Sequence, residues 1–306
     1  MIRFIMSRLR ADLLLILVAM IWGAAFVAQK DALDHIGPFT FVAARFSISF
    51  VLVMPLAFWE RRRTPLKAAA WRTPDMLMLF AVFFSAVALQ QVGLEKTSVT
   101  NAGFLTGLYV VFVPVICWVI YKQKLSALVF PAAALSIFGV WLLSGGSAGN
   151  GLQVNWGDIL VLFCALAFAW HITLVGRVMS LHRAPFQLSC LQYGAVTLLS
   201  LLAAVVTEHP DLDNILAAGY AILYAGAVSG GIAYTLQVVA QQYTPSVDSA
   251  VIMSSEAVFA ALSAALLSQE RLTAPGWAGC SLIMAAILLV EFGPFFARRR
   301  MKTKIV

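Results

Sequence analysis

Charge is scarce in this 306-residue chain: only 11% of positions are Asp, Glu, Lys or Arg, whereas 61% are hydrophobic. An average soluble domain carries about a quarter charged residues. With a mean hydropathy of +0.89, a soluble globule of this size could not cover its surface with polar groups. The solvent that suits the chain is the lipid bilayer. Other shortages exclude function classes. The four histidines are scattered and no H-E-x-x-H occurs, so the zinc-hydrolase pattern is missing. No G-x-x-x-x-G-K-[ST] stretch is present, so no Walker loop cradles ATP. Cys117, Cys164, Cys190 and Cys280 lie in apolar stretches without a C-x-x-C pair. They read as small buried hydrophobes rather than a disulfide or metal site. The longest segment between apolar runs, roughly residues 60–74, is too short for a soluble output domain. No cofactor is expected, and the chain is not expected to be an enzyme.

What the sequence does have is a series of long apolar runs. A bilayer-crossing helix needs about 20 mostly apolar residues. Ten stretches approximate this: 12–30, 38–59, 75–94, 100–121, 127–145, 156–176, 186–206, 214–236, 247–268 and 276–296. Continuous apolar runs specify helices, since a membrane barrel would alternate apolar and polar residues. Arg3, Arg8 and Arg10 before Leu13 to Met20 resemble the start of a signal peptide, but no clean A-x-A site follows. The segment therefore reads as the first helix.

The net charge of +7 points to membrane orientation rather than nucleic acid, because the basic residues sit in short loops and at the termini. With the N-terminus in the cytoplasm, that side holds Arg3, Arg8, Arg10, Arg61, Arg62, Arg63, Lys67, Arg72, Lys122, Lys124, Arg177, Arg183, Arg298, Arg299, Arg300, Lys302 and Lys304. The other side holds Lys30, Lys96 and Arg271, and Arg45 lies within a span. Seventeen against three predicts that both termini are cytoplasmic, which requires an even number of spans.

The chain also resembles itself at a spacing of about 147 residues. Asp12 corresponds to Asp158, Pro38-Phe39 to Pro185-Phe186, and Arg45-Phe46 to Gln192-Tyr193. Gly93 to Ala102 resembles Ala240 to Ala250 with one inserted residue, and Lys124-Leu125-Ser126 falls on Arg271-Leu272-Thr273. The expected fold is an all-α integral membrane protein of ten transmembrane helices in two five-helix repeats, 1–150 and 151–306. Five is odd, so the second repeat enters the membrane from the other side. Secondary transporters use this plan, with the substrate near mid-membrane at the repeat interface.

Polar residues within the spans are candidates for that site. A carboxyl such as Glu256 costs about 2.5–3.5 kcal/mol at a helix centre, by analogy with Asp on the insertion scale, so it must face the bundle or a wet cavity. It reads equally as a contact for a substrate ammonium or proton and as a carboxyl that pins helices. Arg45 reads more readily as structural, paired with an internal acid or snorkelling, than as a carboxylate ligand. Gln90 and Gln237 are related by the repeat; with Gln91 they line a pathway or bond helices together. His171, beside Trp170, is a candidate proton relay, though a packing role is commoner. Trp22, Phe26, Phe83, Phe84, Tyr109, Trp170 and Tyr234 are candidates for stacking on a planar ligand or holding an ammonium by cation–π contact. Gly103 with Gly107, and Gly226 with Gly230, form G-x-x-x-G faces for close helix packing. Pro114 is expected to kink its helix.

Several segments resemble the drug/metabolite transporter superfamily, EamA type: IWGAAF at 21–26, Ala44-Arg45-Phe46, TSVTNAGFL at 97–105 with Pro114 beyond it, and SSEAVFAALSAALLSQERLT at 254–273. The last has the family's glutamate, Glu256, an apolar run, and a second, Glu270, before Leu-Thr; Ala257 stands where a proline is usual. The resemblance covers essentially the whole chain. It implies a ten-helix exporter in a bacterial inner membrane, with a central cavity from both halves and helices 5 and 10 peripheral. Within the family the chain is similar to the YddG-type aromatic amino-acid exporters. Such a substrate would meet Glu256 with its ammonium, the pair Gln90 and Gln237 with its carboxylate, and aromatic residues with its side chain. An exporter of amphiphilic cations or other metabolites is the alternative, and an intramembrane enzyme fits least. The expected partners are a small-molecule substrate and the lipid bilayer, with no nucleic acid; a homodimer is compatible.

Overall fold

Helix starts follow local chemistry. In the computed structural model, which describes residues 6–66, 73–124, 127–143, 155–267 and 274–303, α1 (Arg8–Ala32) begins at Ser7, whose side chain accepts from the Arg10 N–H. Three more helices open on a proline in the first turn: α2 (Pro38–Arg61), α3 (Pro74–Lys96) and α8 (Pro185–Thr207). There the missing N–H would have had no partner anyway. A reciprocal capping box, Asn155 with Asp158, opens α7 (Trp156–His182). The described residues contain no strand. Lys67, Arg72, the boundary at 150 and the segment from Glu270 to Thr273 lie outside them.

Eight helices among the described residues are long and apolar enough to cross a membrane, and two shorter apolar helices lie at 129–139 and 274–289. Those two belong to α6 (Val129–Leu143) and α14 (Ala274–Thr303), at the positions expected for the fifth and tenth spans. The two helices cross closely: a methyl group on Gly139 would come within 2.7 Å of the Gly279 carbonyl oxygen.

Three spans depart from regular α-helix. The fourth divides at Leu108 into α4 (Val99–Gly107) and α5 (Tyr109–Val119). The break thus falls upstream of Pro114, which sits inside α5. The eighth comprises α10 (Gly219–Leu223), preceded by the short α9 (Leu212–Ala217), then a π-helical stretch Tyr224–Tyr234, then α11 (Thr235–Ala240). The ninth divides at Ser254-Ser255 into α12 (Ser246–Met253) and α13 (Glu256–Leu267). Each serine hydroxyl there donates 2.7 Å to the carbonyl three residues back, which satisfies acceptors exposed by the break. The break forms with Ala257, where the resemblance leads one to expect a proline. The fourth and ninth spans correspond in the repeat, and both divide near mid-length.

Contacts between the halves hold the bundle together: α2 lies along α8, α3 along α7, α1 along α13, and α6 along α14. The ends of α2 and α8 cap one another. Glu208, past the end of α8, accepts from the Phe39 and Thr40 N–H groups, both at 2.8 Å. Glu60, near the end of α2, accepts from the Gln187 N–H at 2.9 Å. A carboxylate at a helix N-terminus satisfies free donors and complements the helix dipole. Because Thr40 and Gln187 are repeat-related, the same device appears once on each face. Lys30 closes the far end of α1, donating to the carbonyls of Leu94 (2.6 Å), Glu95 (3.2 Å) and Thr97 (3.2 Å).

Candidate substrate site

The two helix breaks and the π-helical stretch meet around one central cavity. Tyr109 follows the first break and Glu256 the second, and Ser229 and Tyr234 come from the π-helical stretch. Trp22, Phe26 and Gln29 of α1, Arg45 of α2, Gln90 of α3, Thr106 of α4, Phe168 and Ile172 of α7 and Gln237 of α11 complete the lining. Discontinuous helices meeting at a repeat interface are the recurrent construction of transporter sites. Here the π-helical geometry brings the Ser229 carbonyl to the Trp22 Nε1–H, which donates to it at 3.2 Å. It also brings the Gly226 carbonyl to the Ser49 hydroxyl, which donates at 2.7 Å. That contact presses α2 onto the π-helical stretch, and a methyl group on Gly226 would meet the Arg45 carbonyl oxygen at 2.7 Å. Arg45 is thereby fixed at the cavity wall.

The space is narrow. About 410 Å³ of free space, part of it open to solvent, adjoins the lining atoms, but the centre of a water molecule can range over only about 20 Å³. One water needs about 10–15 Å³ by that measure, so an organic solute requires the helices to part. Aromatic rings form much of the wall: Trp22 and Tyr234 have centroids 4.6 Å apart, and Phe168 stacks on Tyr234 at 6.4 Å.

The polar groups divide into those already engaged and those without a partner. Gln90 Nε2 donates to Thr106 Oγ1 at 3.3 Å, and Gln237 Nε2 donates to Gln241 Oε1 at 3.0 Å. Arg45 is 2% exposed. Its Nη1 donates to Gln29 Oε1 at 2.7 Å, and its guanidinium lies 5.4 Å from the Phe41 ring centre and 4.9 Å from that of Phe46. Among the described residues it pairs with no acid and does not snorkel, contrary to both structural roles expected from the sequence. Glu256 is equally buried, and the Tyr109 hydroxyl is turned to its carboxyl as a donor. Arg45 Nε and Nη2, Gln237 Oε1 and Glu256 Oε1 are buried without a hydrogen-bond partner among the described residues.

Six of the nine residues expected at the site line this cavity: Trp22, Gln90, Tyr109, Tyr234, Gln237 and Glu256. Phe83, Trp170 and His171 do not. Phe83 and His171 stack on each other at 4.4 Å, His171 Nε2 lies 3.0 Å from Gln192 Oε1, and Phe83 meets the edge of Tyr234 at 5.1 Å. They form a layer behind the wall. Trp170 packs both against the central apolar cluster and against the one around Met76, Leu79 and Val175. Sequence reasoning did not single out Gln29, Thr106, Phe168, Ile172 and Ser229. Two of them carried a signal: the offset that relates Asp12 to Asp158 takes Trp22 to Phe168 and Phe26 to Ile172.

Residues 9–145 and 155–292 each match the EamA-like transporter family. The chain belongs to that family. This EamA-like transporter is 36% identical over 285 residues to an uncharacterized transporter of Archaeoglobus fulgidus, covering 93% of this chain and 87% of the relative. It is 26% identical to a probable amino-acid metabolite efflux pump of Escherichia coli, covering 94% of this chain and 96% of the pump. A solved crystal structure shares its fold at a TM-score of 0.75, with 16% identity over 95% of this chain and 97% of the other.

Proposed function

We propose that this EamA-like transporter exports small organic metabolites, foremost aromatic or large neutral amino acids, across a bacterial inner membrane by alternating access. The observation that carries the reading is the cavity: a buried carboxyl, Glu256, and an aromatic wall at the junction of two broken helices. The ammonium of an amino acid meets Glu256, and its side chain lies among Trp22, Phe26, Phe168 and Tyr234. The name of the Escherichia coli relative supports the amino-acid class. In this reading α6 and α14 complete ten spans, with both termini in the cytoplasm. A C-terminal green fluorescent protein that fails to fluoresce in cells, despite full-length protein in the membrane, would overturn that orientation.

The test of function is counterflow. Proteoliposomes loaded with unlabelled amino acids should take up labelled phenylalanine saturably, in competition with other aromatic or large neutral amino acids. No exchange by folded protein would overturn the amino-acid reading. The second reading, export of amphiphilic cations, rests on the same Glu256 and aromatic wall, and it predicts that cationic dyes compete as well as amino acids. An intramembrane hydrolase finds less support. Residues 145–149 spell G-x-S-x-G, a pattern that works on a strand-to-helix turn, but they lie outside the described residues, and the described lining of the central cavity comes from other residues.

A further inference from the structure

We propose that Arg45 is the anion-binding pole of the central cavity, and that the cavity therefore selects net-neutral zwitterions over plain organic cations. The inference rests on the transport reading above and assigns its carboxylate contact to a residue other than the glutamine pair. The geometry decides by donors and acceptors. A carboxylate needs N–H or O–H donors that are free to turn towards it. Gln237 has its amide nitrogen turned away, donating to Gln241 Oε1. That orientation is fixed from below, because Gln241 Nε2 itself donates to the Ile172 carbonyl at 2.9 Å. Gln237 thus presents Oε1, an acceptor that repels a carboxylate and suits an ammonium. Gln90 already spends its amide nitrogen on Thr106.

Arg45 is the converse. Only Nη1 is engaged, with Gln29, while Nε and Nη2 are buried and unpartnered among the described residues. These two nitrogens form one edge of the guanidinium, and an edge of that kind receives a carboxylate through two parallel hydrogen bonds. The rings of Phe41 and Phe46 and the bond to Gln29 hold its plane. The buried acceptors left without a partner on the same lining are Glu256 Oε1 and Gln237 Oε1, and the Tyr109 hydroxyl is turned to the Glu256 carboxyl. Arg45 and Glu256 both act electrostatically on Tyr234 and on Cys164, yet form no ion pair with each other. Arg45 and Glu256 therefore line one cavity without pairing with each other. A buried charge without a counter-charge is costly. A zwitterion compensates both poles. A cation compensates Glu256 and leaves Arg45 bare, and an anion does the reverse.

The experiment is competition against labelled phenylalanine in the counterflow assay, with three unlabelled compounds: phenylalanine, phenethylamine (no carboxylate) and 3-phenylpropionate (no ammonium). The wild-type protein should need at least tenfold more of either singly charged compound than of phenylalanine for half-inhibition. Arg45→Gln should lose phenylalanine exchange at least tenfold while phenethylamine gains relative to it, and Arg45→Lys should recover part of the loss. Phenethylamine competing as well as phenylalanine in the wild type overturns the proposal and leaves the transport reading standing. Arg45→Gln with an unchanged order of competitors does the same. Absence of any phenylalanine exchange in folded wild-type protein overturns both. If Arg45→Gln does not fold, the wild-type competition series decides by itself.

Discussion

The Thr244 hydroxyl donates to the Asp12 carboxylate at 2.6 Å, joining the end of the eighth span to the start of the first. The repeat reproduces this bond on the opposite face, where the Thr97 hydroxyl donates to Asp158 at 2.5 Å. Each bond crosses between the halves, and all four residues are buried. A hydrogen bond to a charged group contributes about 1.5–3 kcal/mol, and breaking it leaves a desolvated carboxylate. Thr244→Val and Thr97→Val should each lower the melting temperature in detergent by several degrees, whereas the Thr→Ser variants, which keep the donor, should melt near the wild type. Valine variants with unchanged melting would show that these bonds do not hold the halves.

Glu256→Gln removes the charge and keeps the shape. Phenylalanine exchange should fall at least tenfold, while the melting temperature should not fall, since a buried carboxylate without a cationic partner is itself destabilising. Unchanged exchange would mean that Glu256 does not meet the substrate ammonium.

The glycines divide by what their added methyl groups would meet. At Gly226 a methyl group comes within 2.7 Å of the Arg45 carbonyl oxygen and 2.9 Å of Ile48 Cβ, and at Gly230 it collides with the Ser49 hydroxyl. At Gly107 it meets nothing within 4 Å. Overpacking typically costs about 1–3 kcal/mol. Gly226→Ala and Gly230→Ala should therefore destabilise the protein, with the greater loss at Gly226, where the obstacle is backbone. Gly107→Ala should be close to neutral. Thermal unfolding of the three variants side by side checks the order. Of the two G-x-x-x-G patterns, only that on the eighth span packs at both glycines; in the other, Gly103 would meet Ala260 at 3.1 Å and Gly107 is free.

His171 separates a packing residue from a proton relay. It lies behind the cavity wall, stacked on Phe83 and bonded to Gln192. His171→Gln should cost about 1 kcal/mol of stability through that bond. The pH profile of exchange and the order of competing substrates should stay those of the wild type. A shifted pH profile would return His171 to the transport pathway.

The apolar runs, the proline-led helix starts and the lysine and arginine bias are local properties, so they could be read along the chain. Doubling was legible as well, because Asp12 with Asp158 and Pro38 with Pro185 recur in register. The membrane setting amplifies these signals, since the bilayer forces every backbone group in a span to bond within its own helix.

The site was legible only in part. Successive residues on a helix turn by about 100°, and no list of candidates fixes which side faces inward. Trp170 and His171 therefore read as a pair but pack in different places, neither on the cavity. Arg45 looked like an isolated charge that needed an acid or an interface; folding gave it Gln29, two phenylalanine rings and an open edge. The break at Leu108 also lay away from Pro114, the one breaker visible in that span. The sequence by itself determined that this chain crosses a membrane as a doubled helical bundle, because hydropathy and the lack of charge act residue by residue. Tertiary structure alone decided which donors and acceptors remain unpaired at the centre, because that depends on partners contributed by seven different spans.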